Sequence, residues 1–305
     1  MKTIHLSDTH VCPLFKQENA AKLNVVLRRL SAEPFDHLAI TGDLTDNADV
    51  RSLRIVRDVL KSHGLLRSGL ATVVPGNHDI FGTVRRASDF PAFVRRCAAA
   101  DTEERIRIFR DEFGELFEGA EFTAADKPFP FLKTVNGVSL IGIDSSAPYS
   151  VRNNFFASAG RLTGDMLNDV DRLLAGDGFA SRPKILLAHH GFRERSLRRG
   201  EAGGRDRKGT RNPLLRLREM GVGAVLYGHT HVMDGGHREG ILFANAGGSI
   251  DAKQTDMYRF NEVDYDGRSD MFNLTMRSGV LPGSRTERPA GRMAADKLWA
   301  AYEGG

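Results

Sequence analysis

Six short apolar runs, at residues 3–6, 37–41, 71–74, 139–143, 184–188 and 224–227, alternate along this chain with stretches of helical period at 19–30, 49–63, 102–117, 163–174 and 212–220. Alternation of strand-length and helix-length segments calls for an α/β architecture, and the changing period excludes a repeat protein. Toward the C-terminus the pattern becomes strand-only. Residues 242–244 are followed by 257–265 and 271–276 around an Asp266-Gly267 turn, a hairpin (257–276) expected to close a sheet edge or to form a dimer edge. Beyond Leu281 the pattern is broken by Pro282, Gly283, Pro289 and Gly291, with a short helical stretch at 293–302. The expected organisation is one catalytic domain over residues 1–280 and a loosely attached tail at 281–305.

Each of five apolar runs leads into a loop that opens with acid, amide or imidazole groups. Asp8 and His10 follow the first, Gly42 and Asp43 the second, and Pro75-Gly76-Asn77-His78-Asp79 the third. His189-His190-Gly191 follows the fifth run and Gly228-His229-Thr230-His231 the sixth. Ligands of α/β sheets gather at the carboxyl ends of strands, so these loops are expected to converge on one site. Asp8 and His10, two apart at a strand end, can face one cation if the strand alternation continues. A carboxylate has two oxygens and can bridge two cations, which nominates Asp43 for that place, and Asn77 offers a neutral oxygen to a second ion. Asp46 reads as a turn residue or the N-cap of the next helix. His5, His37, His63 and His237 carry no such pattern, and Cys12 reads as a buried thiol.

In this order the blocks resemble the signature of the calcineurin-like metallophosphoesterase family: Asp-x-His, Gly-Asp-x-x-Asp, Gly-Asn-His-Asp, a lone His, then Gly-His-x-His. The resemblance spans about residues 2–248. It implies a four-layer αββα sandwich of two mixed β-sheets flanked by helices, and two divalent metal ions. It implies that Asp8, His10, Asp43 and His231 hold the first metal, that Asp43, Asn77, His189 and His229 hold the second, and that His78 touches the phosphate and assists the leaving group without binding metal. The family often has His-x-Pro where this chain has His189-His190-Gly191, so Gly191 replaces Pro and should loosen the loop that follows. A slip of register would make His190 the ligand instead of His189. A nitrogen and oxygen ligand set suits Mn, Fe, Zn or Co, and such a pair can activate a bridging hydroxide to attack phosphorus in line.

Residues 6–10, 41–46 and 142–146 are similar to the branch holding class III cyclic-nucleotide phosphodiesterases and bacterial glycerophosphodiesterases, which implies a small phosphodiester substrate, nucleotides among the candidates. A phosphomonoesterase, a nucleotide-linked pyrophosphatase, a nuclease and a metal-free scaffold of the same fold are the alternatives. Between Arg193 and Arg211 eight basic residues stand against three acidic ones, although the whole chain is only +4. This loop (192–212) reads either as solvated or as an attractor of an anionic substrate. It has only Phe192 nearby as a stacking platform, which argues against nucleic acid as partner. A hydrophobic content of 41% supports a sizeable core. The sequence shows no membrane span and no secretory leader, and only two cysteines, Cys12 and Cys97, so the cytoplasm is the expected location.

Overall fold

The computed structural model describes residues 1–84, 86–176, 178–192, 212–250 and 257–281. The basic loop at 193–211, the tail from 282 onward and its expected helix at 293–302 lie outside the described residues. Period-two burial organises everything else. In β6 (Val138–Gly142), β7 (Lys184–Leu187), β8 (Val222–Tyr227) and β10 (Ile241–Asn245), alternate side chains go to different cores. Leu140, Ile185, Ala224 and Leu242 join one hydrophobic cluster, whereas Ile141, Leu186, Val225 and Phe243 join another. A sheet buried on both faces this way must be covered on both, and it is.

The first core lies between this sheet and a second one. It takes in Ile4 and Leu6 of β1 (Lys2–Leu6), Leu38 and Ile40 of β2 (His37–Thr41), and Val73 and Val74 of β3 (Ala71–Val74). Helices α1 (Gln17–Leu30), α2 (Val50–Ser62) and α5 (Thr102–Glu112) add to it, α1 through Leu23, Val26, Leu27 and Leu30, the spacing of one helical face. The second core is roofed by α6 (Gly164–Leu174) and α7 (Pro213–Glu219) through Leu167, Val170, Leu173, Leu214 and Leu217. The layers are therefore α, β, β, α, as the resemblance implied.

Five strands form the first sheet in the order β12-β11-β1-β2-β3, and seven form the second in the order β4-β5-β6-β7-β8-β10-β9. The hairpin closes the first sheet, with β11 (Met257–Asp266) antiparallel to β1 and β12 (Met271–Val280) running four residues past the expected end at 276. Residues 267–270 form its turn, longer than Asp266-Gly267 alone. Three strands escaped the sequence reading. These are β4 (Glu121–Ala124), β5 (Lys127–Val135), which carries Pro128 and Pro130, and β9 (Asp234–Arg238), which holds His237 and is exposed throughout. Two further helices, α3 (Asn77–Ile80) and α4 (Phe90–Ala99), were also unforeseen, and the helix expected over 102–117 ends at Glu112 before a 3₁₀ turn. Both cysteines are free and buried. No helix among the described residues is long and apolar enough to cross a membrane.

Candidate metal centre

Strands β1, β2, β3, β7 and β8 are parallel within their sheets, so their carboxyl ends open on one side of the molecule. The five loops that follow them meet there. Ten non-glycine residues among those described have positive φ, and five of them are Asp8 (55°), His10 (45°), Asp43 (49°), His229 (71°) and His231 (56°). A left-handed backbone at a residue with a Cβ costs about 1 kcal/mol or more, and such strain collects where surrounding structure enforces it for function. Asp8 and His10 therefore share a direction through two left-handed turns beyond the end of β1, and not through continued strand alternation. His229 and His231 repeat the device after β8.

Close approach at two glycines brings the loops together. A Cβ on Gly76 would strike the Asp43 carboxylate, and a Cβ on Gly228 would strike Ser7 Oγ and Asp8 Oδ2. Asp8 accepts the His229 N–H on both oxygens, at 3.1 and 3.0 Å, and Asp43 Oδ1 accepts the His78 N–H at 2.8 Å. Asp43 Oδ2 is the hub. It lies 3.2 Å from His189 Nε2, 3.9 Å from His10 Nε2 and 3.9 Å from His78 Nε2. On the other side of His10, its Nε2 is 3.1 Å from His231 Nε2, and His231 Nε2 is 3.4 Å from Asp8 Oδ1.

Several partners fix which imidazole nitrogens face this hub. His189 Nδ1 donates to the Thr41 carbonyl at 2.8 Å, so the neutral ring turns its Nε2 lone pair toward Asp43. His10 Nδ1 faces Asp46 Oδ1 at 3.3 Å, which likewise turns the Nε2 lone pair inward. His190 is different. Ser145 Oγ accepts the N–H groups of His189 (3.1 Å) and His190 (3.0 Å), so its own proton goes to His190 Nδ1 at 3.0 Å. With that lone pair used, a neutral His190 carries its proton on Nε2 and is a donor. Burial first, then the charges of His189 and His229, hold His190 well below its ordinary value, so it is neutral.

Asp46 is not the helix N-cap. That role belongs to Asp49, whose Oδ1 accepts the Ser52 N–H at 2.9 Å. The Asp46 carboxylate instead reaches Lys16 Nζ (2.9 Å), His10 Nδ1 (3.3 Å) and His78 Nδ1 (3.6 Å). Sequence reasoning missed it, although its place three residues after Asp43 in the family signature was a usable signal. Asp79 was also passed over. It accepts four hydrogen bonds, from Gly76 N, Leu44 N, Thr45 N and Thr45 Oγ, and so ties the Asp43 loop to the Asn77 loop.

Electrostatics follow from this crowding. Burial favours the neutral acid at Asp43, yet His189, His78 and His10 together hold it well below the usual carboxylate range. Burial likewise opposes charge on His189, but Asp43 overrides it and raises the imidazole to about 9. His78 is raised in the same way, by Asp43 and Asp46 against burial, whereas burial takes His229 down to about 3. His189 Nε2 and Asp43 Oδ2, 3.2 Å apart, face a place where a cation would satisfy both. Asn77 Oδ1 and His189 Nε2 are buried with no hydrogen-bond partner, and the donor sets Asp8-His10-His231, Asp8-Asp43-His189, His10-Asp46-His78 and His189-His190-His229 each fall within 4.8 Å; in the last of these the bond from Ser145 Oγ takes up the His190 Nδ1 lone pair. Hard oxygens and imidazole nitrogens without thiolate fit divalent first-row metals.

The sequence profile described as calcineurin-like phosphoesterase matches residues 1–233, which include every block of this site. The chain belongs to the calcineurin-like phosphoesterase family. It is a hydrolase fold for phosphoesters, and the family works on a dinuclear metal centre. Among solved structures it is similar to a dimetal phosphatase from Danio rerio, with 12% identity and a TM-score of 0.57 over 91% of this chain and 95% of that one. It is also similar to purple acid phosphatase PPD1 from yellow lupin (Lupinus luteus) seeds, with 11% identity and a TM-score of 0.50 over 92% of this chain and 51% of that one. At such identities these likenesses show the fold. No curated protein sequence matches the chain. Where the phosphoesterase pattern often has proline, Gly191 packs so that a Cβ would strike the Tyr227 ring. The loop expected to loosen after it lies outside the described residues.

Proposed function

We propose that this phosphoesterase hydrolyses a small phosphodiester on two divalent cations. Asp8, His10, Asp43 and His231 would hold one, and Asp43, Asn77, His189 and His229 the other, with His190 kept out by the hydrogen bond from Ser145. The observation that carries the reading is a buried Asp43 carboxylate with three imidazoles around its Oδ2, His189 at 3.2 Å and His10 and His78 at 3.9 Å, while Asn77 Oδ1 on the adjoining loop is buried without a partner. Bound cations would supply Lewis acidity, lowering the pKa of a water and neutralising phosphoryl charge.

The chain's own groups do the rest. Asp43 turns Oδ2 to both halves of the site, 3.2 Å from His189 Nε2 and 3.9 Å from His10 Nε2, while Oδ1 is held by the His78 N–H. His78 lies 3.9 Å from Asp43 Oδ2, and that carboxylate with Asp46 raises it toward its charged form, which favours a proton there for a phosphate oxygen or a departing alkoxide. Asp46 Oδ1 lies 3.6 Å from His78 Nδ1 and places a negative charge behind that ring. Preference for a diester is supported by the likeness of residues 6–10, 41–46 and 142–146 to the diesterase branch, and physiological metals among Mn, Fe, Zn and Co are compatible with the donor set.

The test is hydrolysis of bis(4-nitrophenyl) phosphate and of 4-nitrophenyl phosphate before and after chelation. We expect faster turnover of the diester, loss on chelation and recovery with Mn. Turnover that survives complete metal removal rejects the two-cation reading, and faster monoester turnover rejects the diester assignment.

A further inference from the structure

Resting on that reading, we propose that Phe155 and Phe156, backed by Phe90, form a specificity subsite for a flat aromatic ring on one ester of the substrate. Phe156 is 65% exposed and Phe155 36%, yet the three rings touch one another. Their centroids are 4.9 Å (Phe90–Phe155), 5.7 Å (Phe90–Phe156) and 5.5 Å (Phe155–Phe156) apart, with planes inclined by 59°, 56° and 73°. Inclined rings present one face and one edge at a corner, the arrangement an added ring prefers.

Exposed aromatics on a loose loop would mean little. This loop is built. Buried Asn154 donates to the carbonyls of Ala147 and Pro148, both at 3.1 Å, and accepts the N–H groups of Ser158 (3.0 Å) and Ala159 (2.9 Å). Ala147 N–H bonds the Ala159 carbonyl at 2.9 Å and closes the base of the loop. Ala157, held at a φ of 50°, is buried against Ile80 and Phe81, at the end of the helix that carries Asn77 and His78. The other attachment is His190, which Ser145 Oγ grips at one end of the loop and against which Gly160 packs at the other. The loop that carries the aromatic corner is thus anchored on two sides to segments that bear site residues, at Ile80 and Phe81 after His78 and at His190 after His189. A phenyl ring has no polar handle, so it selects for flatness and apolarity, which a heteroaromatic base or an aryl alcohol supplies and a glyceryl or alkyl ester does not.

The experiment compares wild type, Phe155→Ala, Phe156→Ala and Phe156→Trp on bis(4-nitrophenyl) phosphate, a cyclic nucleotide and a glycerophosphodiester, beside calorimetric binding of phenylphosphonate and methylphosphonate. Loss of one stacked ring is expected to raise KM for ring-bearing esters about tenfold with little change in kcat, to spare the glycerophosphodiester, and to abolish the preference for phenylphosphonate. The tryptophan variant should keep the low KM. The aryl and nucleotide arms separate the two sources of ring. Equal effects on all esters, or an unchanged phosphonate preference in both alanine variants, would overturn the subsite. If no ester is hydrolysed but the phosphonate preference falls in the variants, the subsite stands and the proposed reaction does not.

Discussion

Asp79→Ala removes a knot rather than a ligand. The carboxylate is buried and accepts four hydrogen bonds, at 2.9 Å from Gly76 N, 3.2 Å from Leu44 N, 2.8 Å from Thr45 N and 2.9 Å from Thr45 Oγ. Each donor left buried and unpaired costs about 1–3 kcal/mol, and water entering the vacated space restores part of it. Relief of a buried charge offsets more, because burial and then the Asp43 charge raise the Asp79 carboxyl to about 6. A net loss of about 3–5 kcal/mol remains, on the order of a 10 °C fall in Tm for a chain of this size. The assay is thermal unfolding of metal-free protein at pH 8, where Asp79 is ionised and metal linkage does not contribute. Asp79→Asn keeps one acceptor oxygen and sets a donor against donors at the other, so it should recover less than half of the loss. The stability that Asp79 contributes should shrink as pH rises through the interval from the ordinary value of 3.8 to about 6, since the folded chain binds this proton more tightly, so the gap in stability between wild type and the alanine variant should narrow across it. A Tm within about 2 °C of wild type for either variant would refute the knot.

Asp43→Ala should lose metal and activity together, whereas His78→Ala should keep both metals and lose at least about a hundredfold in kcat, read by metal analysis beside steady-state kinetics. Asp46→Ala should weaken metal affinity about tenfold or more, measured by competition with a chelating dye, because His10 Nδ1 loses the carboxylate it faces. His189, raised to about 9 beside Asp43, must release a proton on binding a cation, so apparent affinity should climb about tenfold per pH unit below 9 and level off above it in a titration followed by calorimetry. A pH-independent affinity would show that His189 is not displaced from its proton.

The blocks that meet at the site were legible because cation chemistry restricts residue type and strand ends restrict position. Asp8, His10, Asp43, Asn77, His229 and His231 all stand in loops that the apolar runs announced. The reason given for Asp8 and His10 was nevertheless wrong, since positive φ angles and not strand alternation aim them. Strand β5 was hidden by two prolines and β9 by having no buried face, so neither left a hydrophobic period to read. Asp46 looked like a cap because its contacts with His10 and His78 exist only after three loops meet. The exclusion of His190 from the proposed ligand set rests on where the single proton of Ser145 goes, which no linear pattern encodes. Phe155 and Phe156 gave no signal, because one exposed aromatic pair has no period.

Anomalous diffraction from crystals soaked in Mn tests the account most directly. Two peaks are predicted, one on each side of the Asp43 carboxylate, the first against Asp8, His10 and His231 and the second against Asn77, His189 and His229. A single peak, or one coordinated by His190, would contradict it.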